Sequence, residues 1–323
     1  MGCLRPVPAY RSSSVNKSGK RSMVFDRSQA GRFESTQFVP CNYCKGCRSE
    51  YARQWAVRAV HEAQMSSCTC FITLTYSDKW LPKILGEPTL FKEDIVKFRK
   101  DYRKKYGNGI KLKFFGCGEY GDKLSRPHYH LIVYNHNFDF DKTFHKYSAK
   151  GFPLYISSSL DKLWSKGHTY VGDMSFATAK YCAMYMLKKA KGDLAVPYYS
   201  VLDESTGELV SRESEYCIYP TRPGLGTTWI EKYWFDLYKD DFLVIDGVKH
   251  KAPRFYDRWM EKFQPDYFKE VKHRRYLSSL ENKVEDFNNF MDGGRSRQEG
   301  LYVKERIWDL SDKNGKHSLR NLE

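Results

Sequence analysis

The stretch Arg126-Pro127-His128-Tyr129-His130-Leu131-Ile132-Val133-Tyr134 leaves this chain little conformational freedom. Its β-branched and aromatic residues predict a strand over 128–134, and side chains on a strand alternate between two faces. His128 and His130 therefore share one face, while Tyr129, Leu131 and Val133 share the other. The apolar face predicts a core on one side of a sheet. The opposite face presents two imidazoles, as a sheet presents a pair of metal ligands. Taken alone, the His-x-His spacing fits two unrelated surface histidines equally well.

That strand needs neighbours. Cys70-Phe71-Ile72-Thr73-Leu74-Thr75-Tyr76 reads as a second strand, and Ile110 to Cys117 as a third. The polar turn Gly121-Asp122-Lys123-Leu124-Ser125-Arg126-Pro127 joins the third to the histidine strand. Helices are predicted by apolar periodicity in three places. From Arg48 to Met65 the stripe is Ala52, Trp55, Ala56, Ala59, Val60 and Ala63; Phe91, Ile95, Phe98 and Tyr102 mark the next helix, which stops at Gly107-Asn108-Gly109. Ser175 to Ala190 reads as the third. The order strand, helix, strand pair, helix predicts an α+β fold, a central antiparallel sheet flanked by helices.

Residues 1–39 are rich in Ser, Arg, Lys and Gly and lack periodicity, so they read as an irregular arm. Beyond residue 196 the chain reads as mainly helical, with a capping box at Thr228-Trp229-Ile230-Glu231 and a longer helix after Pro265 through Val271 and Leu280. The expected organisation is a 1–65 arm with a Cys cluster and helix, a 66–195 sheet domain, and a 196–323 accessory region.

Charge points to the partner. Residues 1–195 hold 33 Lys+Arg against 16 Asp+Glu, a net +17, whereas residues 196–323 hold 21 against 23 and sum to −2. A cationic segment with many aromatics suits a polyanion, because cations neutralise phosphates and rings stack on bases. No apolar run is long enough to span a membrane, and the N-terminus has no apolar signal region. Nine cysteines at unequal spacings argue against a disulfide scaffold and for a reducing, cytoplasmic setting.

Two further clusters carry chemistry. Glu119 lies nine residues before His128 across the turn, so a hairpin can bring its carboxylate to the imidazoles. Two imidazoles and a carboxylate hold Mn²⁺ or Mg²⁺ for phosphate work, or Fe(II) for oxygen chemistry, and the basic charge favours phosphate. On the helix after Ser175, Tyr181, Tyr185, Lys188 and Lys189 share one face, opposite Ala179, Cys182, Ala183, Met186 and Ala190, which are expected to pack on the sheet. A phenol with an ordinary pKa of about 10 is a poor nucleophile, but a metal-polarised phosphate beside ammonium groups makes its attack feasible. A Tyr/Lys surface that packs on DNA without chemistry is the equal alternative. Finally, Cys41, Cys44 and Cys47 have the spacing of a structural zinc knuckle lacking its fourth ligand, for which Cys3, His61, Cys68 and Cys70 are candidates; an Fe–S cluster needs another thiolate too.

The order Phe71-Ile72-Thr73-Leu74-Thr75-Tyr76, Glu119-Tyr120-Gly121 with Arg126-Pro127-His128-Tyr129-His130, and Tyr181 with Tyr185, Lys188 and Lys189 resembles the three motifs of HUH endonucleases. More narrowly, with Pro40-Cys41-Asn42-Tyr43-Cys44-Lys45-Gly46-Cys47-Arg48, it resembles the rolling-circle replication initiators of microviruses, of the gokushovirus type. The resemblance covers residues 40–195 and is looser after 196. It implies that 66–195 form an HUH nicking and joining domain, with His128, His130 and Glu119 holding Mn²⁺ or Mg²⁺. Tyr181 and Tyr185 are then paired nucleophiles, and Lys188 or Lys189 steadies the phosphate. It further implies single-stranded viral origin DNA as substrate, a 5′-phosphotyrosine intermediate, a host polymerase and helicase as partners, and the bacterial host's cytoplasm as the setting. The alternatives are an HUH relaxase or single-strand transposase, or a non-enzymatic zinc-stabilised nucleic-acid-binding protein. A non-haem Fe(II) oxygenase leaves Tyr181, Tyr185, Lys188 and Lys189 unused.

Overall fold

The computed structural model describes residues 2–17, 19–121, 124–148, 151–188 and 198–313. The strands are β1 (Val7–Val15), β2 (Arg21–Val24), β3 (Gln37–Val39), β4 (Thr69–Thr75), β5 (Lys83–Ile84), β6 (Glu87–Pro88), β7 (Lys113–Tyr120), β8 (Pro127–Tyr134), β9 (Lys142–Tyr147), β10 (Pro153–Ser157), β11 (Thr169–Gly172), β12 (Ser200–Leu202), β13 (Leu209–Ser211), β14 (Tyr216–Ile218), β15 (Leu243–Ile245) and β16 (Val248–His250). The helices are α1 (Lys45–Gln64), α2 (Lys92–Tyr106), α3 (Ser158–Trp164), α4 (Phe176–Lys188), α5 (Thr227–Asp240), α6 (Arg254–Phe263), α7 (Pro265–Met291) and α8 (Arg297–Lys313). They form two compact units, one from residues 2–51 with 278–313, the other from 52–277.

The larger unit is built on a seven-stranded sheet ordered β14-β7-β8-β4-β11-β10-β9, antiparallel at every pairing. This is the expected α+β architecture, with a helical region after it. One face packs Ile72, Leu74, Phe114, Tyr129, Leu131 and Val133 against Ile95, Phe98 and Tyr102 of α2 and Leu160 and Trp164 of α3. The other face is also a core over part of its area. There Phe115, Cys117, Ile132 and Tyr134 lie under Ala52, Ala56 and Ala59 of α1 and Ala179, Cys182 and Ala183 of α4. The alanines explain the close cover, because they bring two helices against the sheet without long side chains between. His128 and His130 share this second face with Ile132 and Tyr134, so they sit where a packed face ends.

Residues 198–277 are tied into the same unit. β14 extends the sheet by pairing Tyr216 to Gly118 and Ile218 to Gly116. Farther on, Ile230, Leu237, Tyr238, Tyr256, Met260, Phe268 and Val271 form a core with Val57 of α1. Beneath it, Glu62 forms a buried ion pair with Lys113 and accepts the Gly226 N–H at 2.8 Å through Oε2. Arg58 donates to the Leu225 carbonyl at 2.9 Å and lies over the rings of Trp55 and Phe255. Helix α5 does not begin with the expected capping box: its N-cap is Gly226, with φ of 76°, and no side chain caps it.

In the smaller unit the sequence expectation needs correction. Residues 1–39 hold a three-stranded antiparallel sheet ordered β2-β1-β3, not an irregular arm. Only Leu4, Ala9 and Cys44 are buried apolar residues there among those described. Such a sheet has no apolar alternation to read, since few of its side chains enter a core. Within this unit Arg5 pairs with Glu305 and Lys45 with Asp309, each at 2.8 Å.

Candidate metal centre and tyrosine site

The β7–β8 hairpin sets the first two pieces of the site. Its register places Glu119 directly opposite His128 and Cys117 opposite His130, so carboxylate and imidazoles emerge on one face. β4 supplies the third strand, with Thr73 opposite His130 and Thr75 opposite His128. Glu119 is fully buried, not an exposed turn residue, and His130 is nearly so. Both imidazole Nε2 atoms approach Glu119 Oε1 at 2.8 Å.

The hydrogen bonds behind the imidazoles decide what they offer. His128 Nδ1 lies 3.1 Å from the Arg126 carbonyl, which can only accept, so the proton is on Nδ1. His130 Nδ1 lies 3.0 Å from Thr73 Oγ1, and the Phe71 ring stacks on the His130 ring with centroids 5.4 Å apart. A neutral His128 therefore presents an Nε2 lone pair to a carboxylate oxygen. Two lone pairs facing each other are repulsive unless a proton or a cation lies between them. Without a cation, protons fill that place: burial would raise the Glu119 carboxyl, but hydrogen bonds from protonated His128 and His130, with their charge, pull it down to about 2. Glu119 Oε2 is buried and has no hydrogen-bond partner among the described residues. One ligand atom from each of Glu119, His128 and His130 lies within 4.8 Å of the others. The three thus fit a divalent cation.

Helix α4 brings the tyrosine. It packs on β7, β14 and β8 through Ala179, Cys182 and Ala183, all fully buried. The Tyr181 hydroxyl donates to Glu119 Oε1 at 2.8 Å, and its ring meets that of His130 edge-on at 5.2 Å. Here the expected polar helix face is wrong for Tyr181, which is buried among the residues under α4. Glu119 of β7 and His130 of β8 cover it, so more of the helix circumference is buried than a single apolar stripe implies. Tyr185 and Lys188 belong to α4 by their backbone only, and Lys189 lies outside the described residues. Sequence reasoning missed Thr73, Phe71 and the Arg126 carbonyl as supports of the imidazoles. Alternation on β4 puts Phe71, Thr73 and Thr75 on one face, but only the pairing with β8 aims them at the histidines.

The cysteine cluster is a separate centre in the smaller unit. Cys3 joins Cys41, Cys44 and Cys47, with Sγ–Sγ separations of 3.6 Å for Cys3–Cys41 and 3.9 Å for Cys3–Cys44 and Cys41–Cys47. A tetrahedral zinc with Zn–S bonds of about 2.3 Å requires S–S edges of about 3.8 Å, so the four thiols fit one ion. Backbone N–H groups of Leu4 and Cys47 point at Cys44 Sγ, at 3.4 and 3.5 Å. Burial would raise the Cys44 thiol, yet these donors help bring it down to about 6. Gly46 permits the approach of the N-terminal segment, since a Cβ there would lie 2.4 Å from the Gly2 carbonyl oxygen. Of the four sequence candidates, Cys3 is the fourth member. His61 is instead buried beside Trp229 and hydrogen-bonded to Tyr256 Oη at 2.9 Å.

The chain is similar to known proteins along most of its length. Residues 69–190 match the family described as Replication-associated protein ORF2/G2P. The chain is similar to the Replication-associated protein ORF2 of Spiroplasma virus 4, with 31% identity over 294 residues, covering 85% of this chain and 86% of the relative. It is also similar to the Replication-associated protein VP4 of Bdellovibrio phage phiMH2K, at 29% over 309 residues and 90% of each chain. The Replication-associated protein ORF4 of Chlamydia phage 1 is 25% identical over 279 residues, covering 82% of this chain and 66% of the relative. No solved structure matches the chain. No helix among the described residues is long and apolar enough to cross a membrane.

Proposed function

The chain belongs to the replication-associated protein ORF2/G2P family, and from that premise we propose that it initiates rolling-circle replication of a phage genome by nicking and rejoining single-stranded origin DNA. The observation that carries this reading is the convergence of the Tyr181 hydroxyl, His128 Nε2 and His130 Nε2 on Glu119 Oε1, each at 2.8 Å. A phenol held beside a divalent-ion site has few structural reasons to be there and one clear chemical use.

In this reading Glu119, His128 and His130 hold Mn²⁺ or Mg²⁺, which when bound polarises the scissile phosphate as a Lewis acid. Arg126 and Thr73 keep the imidazole Nδ1 atoms occupied, so that Nε2 faces the site. The Tyr181 oxygen attacks phosphorus, a tyrosine–phosphate bond forms, and the bond to the 3′ oxygen breaks. The departing oxygen takes a proton and becomes the 3′-hydroxyl that primes a host polymerase. Its proton balances the one lost from the phenol, which already points at Glu119 Oε1. The 5′-phosphotyrosine keeps the phosphodiester energy, so attack by a 3′-hydroxyl rejoins the strand without ATP. Tyr185, one helical turn on, serves the second cleavage, and Lys188 or Lys189 steadies the phosphate.

Residues 66–195 carry this chemistry and 196–323 support it, while zinc at Cys3, Cys41, Cys44 and Cys47 is structural. The test incubates the full chain with single-stranded origin DNA and Mn²⁺. An SDS-resistant protein–DNA adduct is expected, lost with EDTA and in His128→Ala and His130→Ala. DNA binding without any adduct, across plausible origins and ions, would favour a non-enzymatic binding protein instead.

A further inference from the structure

The smaller unit poses a question of stability. Among its described residues only Leu4, Ala9 and Cys44 are buried apolar side chains. Yet Phe25, Phe33, Phe38 and Tyr43 are 65%, 92%, 70% and 58% exposed. A unit this short of core, held by a thiol cluster, would gain by packing those rings inward. They are left outside, and large exposed apolar side chains mark a binding surface.

Their setting identifies the occupant. Pro8 pairs with Phe38 and Tyr10 with Val24, so these four residues lie on one face of the three-stranded sheet. The Arg27 guanidinium sits over the Tyr10 ring at 4.9 Å, and that of Arg32 over Phe33 at 5.6 Å. Residues 1–51 hold nine Lys+Arg against three Asp+Glu, a net +6. Of the acids, Glu34 is already paired with Arg21. Lys17, Lys20, Arg27 and Arg32 are exposed and make no ion pair among the described residues. Exposed rings interleaved with cations that have no carboxylate partner are the chemistry of a single-stranded nucleic acid surface, where bases stack and phosphates are neutralised. An acidic protein partner would satisfy the cations but not the rings, and an apolar partner the reverse.

We propose that this unit is a second single-stranded DNA-binding surface, held in shape by zinc and made of residues other than those of the nicking site. Phe33, Phe38 and Tyr10 stack bases, and Arg27 and Arg32 hold the backbone. The inference rests on single-stranded DNA being the substrate but not on any cleavage step.

The test uses the full chain without added Mn²⁺ and a 30-nucleotide single strand carrying 5-iododeoxyuridine. Photo-cross-links are expected in the peptides that contain Phe33 and Phe38. The double variant Phe33→Ala, Phe38→Ala should bind at least about tenfold more weakly, by the worth of lost stacking. Its zinc content, unchanged at one per chain, shows that the unit is intact. The pair Arg27→Ser, Arg32→Ser should lower the slope of log K against log salt by about 1.4. Cross-links confined to residues 69–190, wild-type affinity in the phenylalanine variant, an unchanged salt slope, or equal affinity for a duplex of the same length would each overturn the proposal. None of these readouts needs an adduct, so a failure here is distinct from a failure of the nicking reading.

Discussion

The Tyr181 hydroxyl donates to Glu119 Oε1 at 2.8 Å, although the two residues lie 62 positions apart in the chain. Glu119 reaches that point from a hairpin strand and Tyr181 from a helix packed on the same sheet. Oε1 also meets both imidazoles, so one carboxylate oxygen links the candidate ion site to the phenol. Disturbing any of these groups should therefore register at the others.

Acid is one way to disturb it. The Glu119 carboxyl is held at about 2, below its ordinary 4.5, so in metal-free protein it contributes stability above pH 4.5 that is lost as pH falls toward 2. The contribution is on the order of 3 kcal/mol. Urea unfolding followed between pH 5 and 2.5 should show that loss in the wild type and a flatter profile in Glu119→Gln.

Thr73 is a gentler handle. Replacing it with Val removes the oxygen 3.0 Å from His130 Nδ1 while keeping the shape. Loss of such an orienting bond costs about 10–100-fold in metal affinity. Calorimetric titration with Mn²⁺ should show this drop for Thr73→Val and recovery in Thr73→Ser. Equal affinity in all three would mean that Thr73 does not orient the imidazole.

Much of this was legible in the sequence for a physical reason. Alternation along β8 is local, so His128 and His130 declare their shared face, and hairpin arithmetic brings Glu119 near them. Thr73 depends on the register of β4 against β8, which is a long-range pairing with no local signature. Tyr181 looked solvent-facing because helical spacing in the sequence puts Tyr185, Lys188 and Lys189 on its side. Its burial depends on Glu119 of β7 and His130 of β8, which reach it through long-range packing with no local signature. The N-terminal strands escaped notice because a sheet held by thiols needs no apolar alternation.

Cys3 joins its partners from 38 residues away, at Cys41. Purified wild type should hold one zinc per chain, measured by a colorimetric chelator after thiol modification. Cys3→Ser and Cys41→Ser should each lose tight zinc and melt at lower temperature, since metal binding energy is folding energy. Full zinc in Cys3→Ser would exclude Cys3 as a ligand.

The buried Lys113–Glu62 pair tests how firmly the segment around Gly226 belongs to the larger unit. Lys113→Ala leaves the Glu62 carboxylate buried without its cation, although it keeps the Gly226 N–H. Removing one partner of a buried pair costs about 3–5 kcal/mol. Denaturant unfolding should show a loss of that size; a change below 1 kcal/mol would place the pair in contact with water.

On the proposed function, a tyrosine of α4 becomes covalently joined to DNA. The most direct measurement traps the adduct of the full chain with Mn²⁺ and single-stranded origin DNA, digests protein and DNA, and locates the residual nucleotide by mass spectrometry. The nucleotide should lie on Tyr181 or Tyr185, and no adduct should form in the double variant Tyr181→Phe, Tyr185→Phe. A nucleotide on any other residue, or an adduct that survives the double change, would contradict the account.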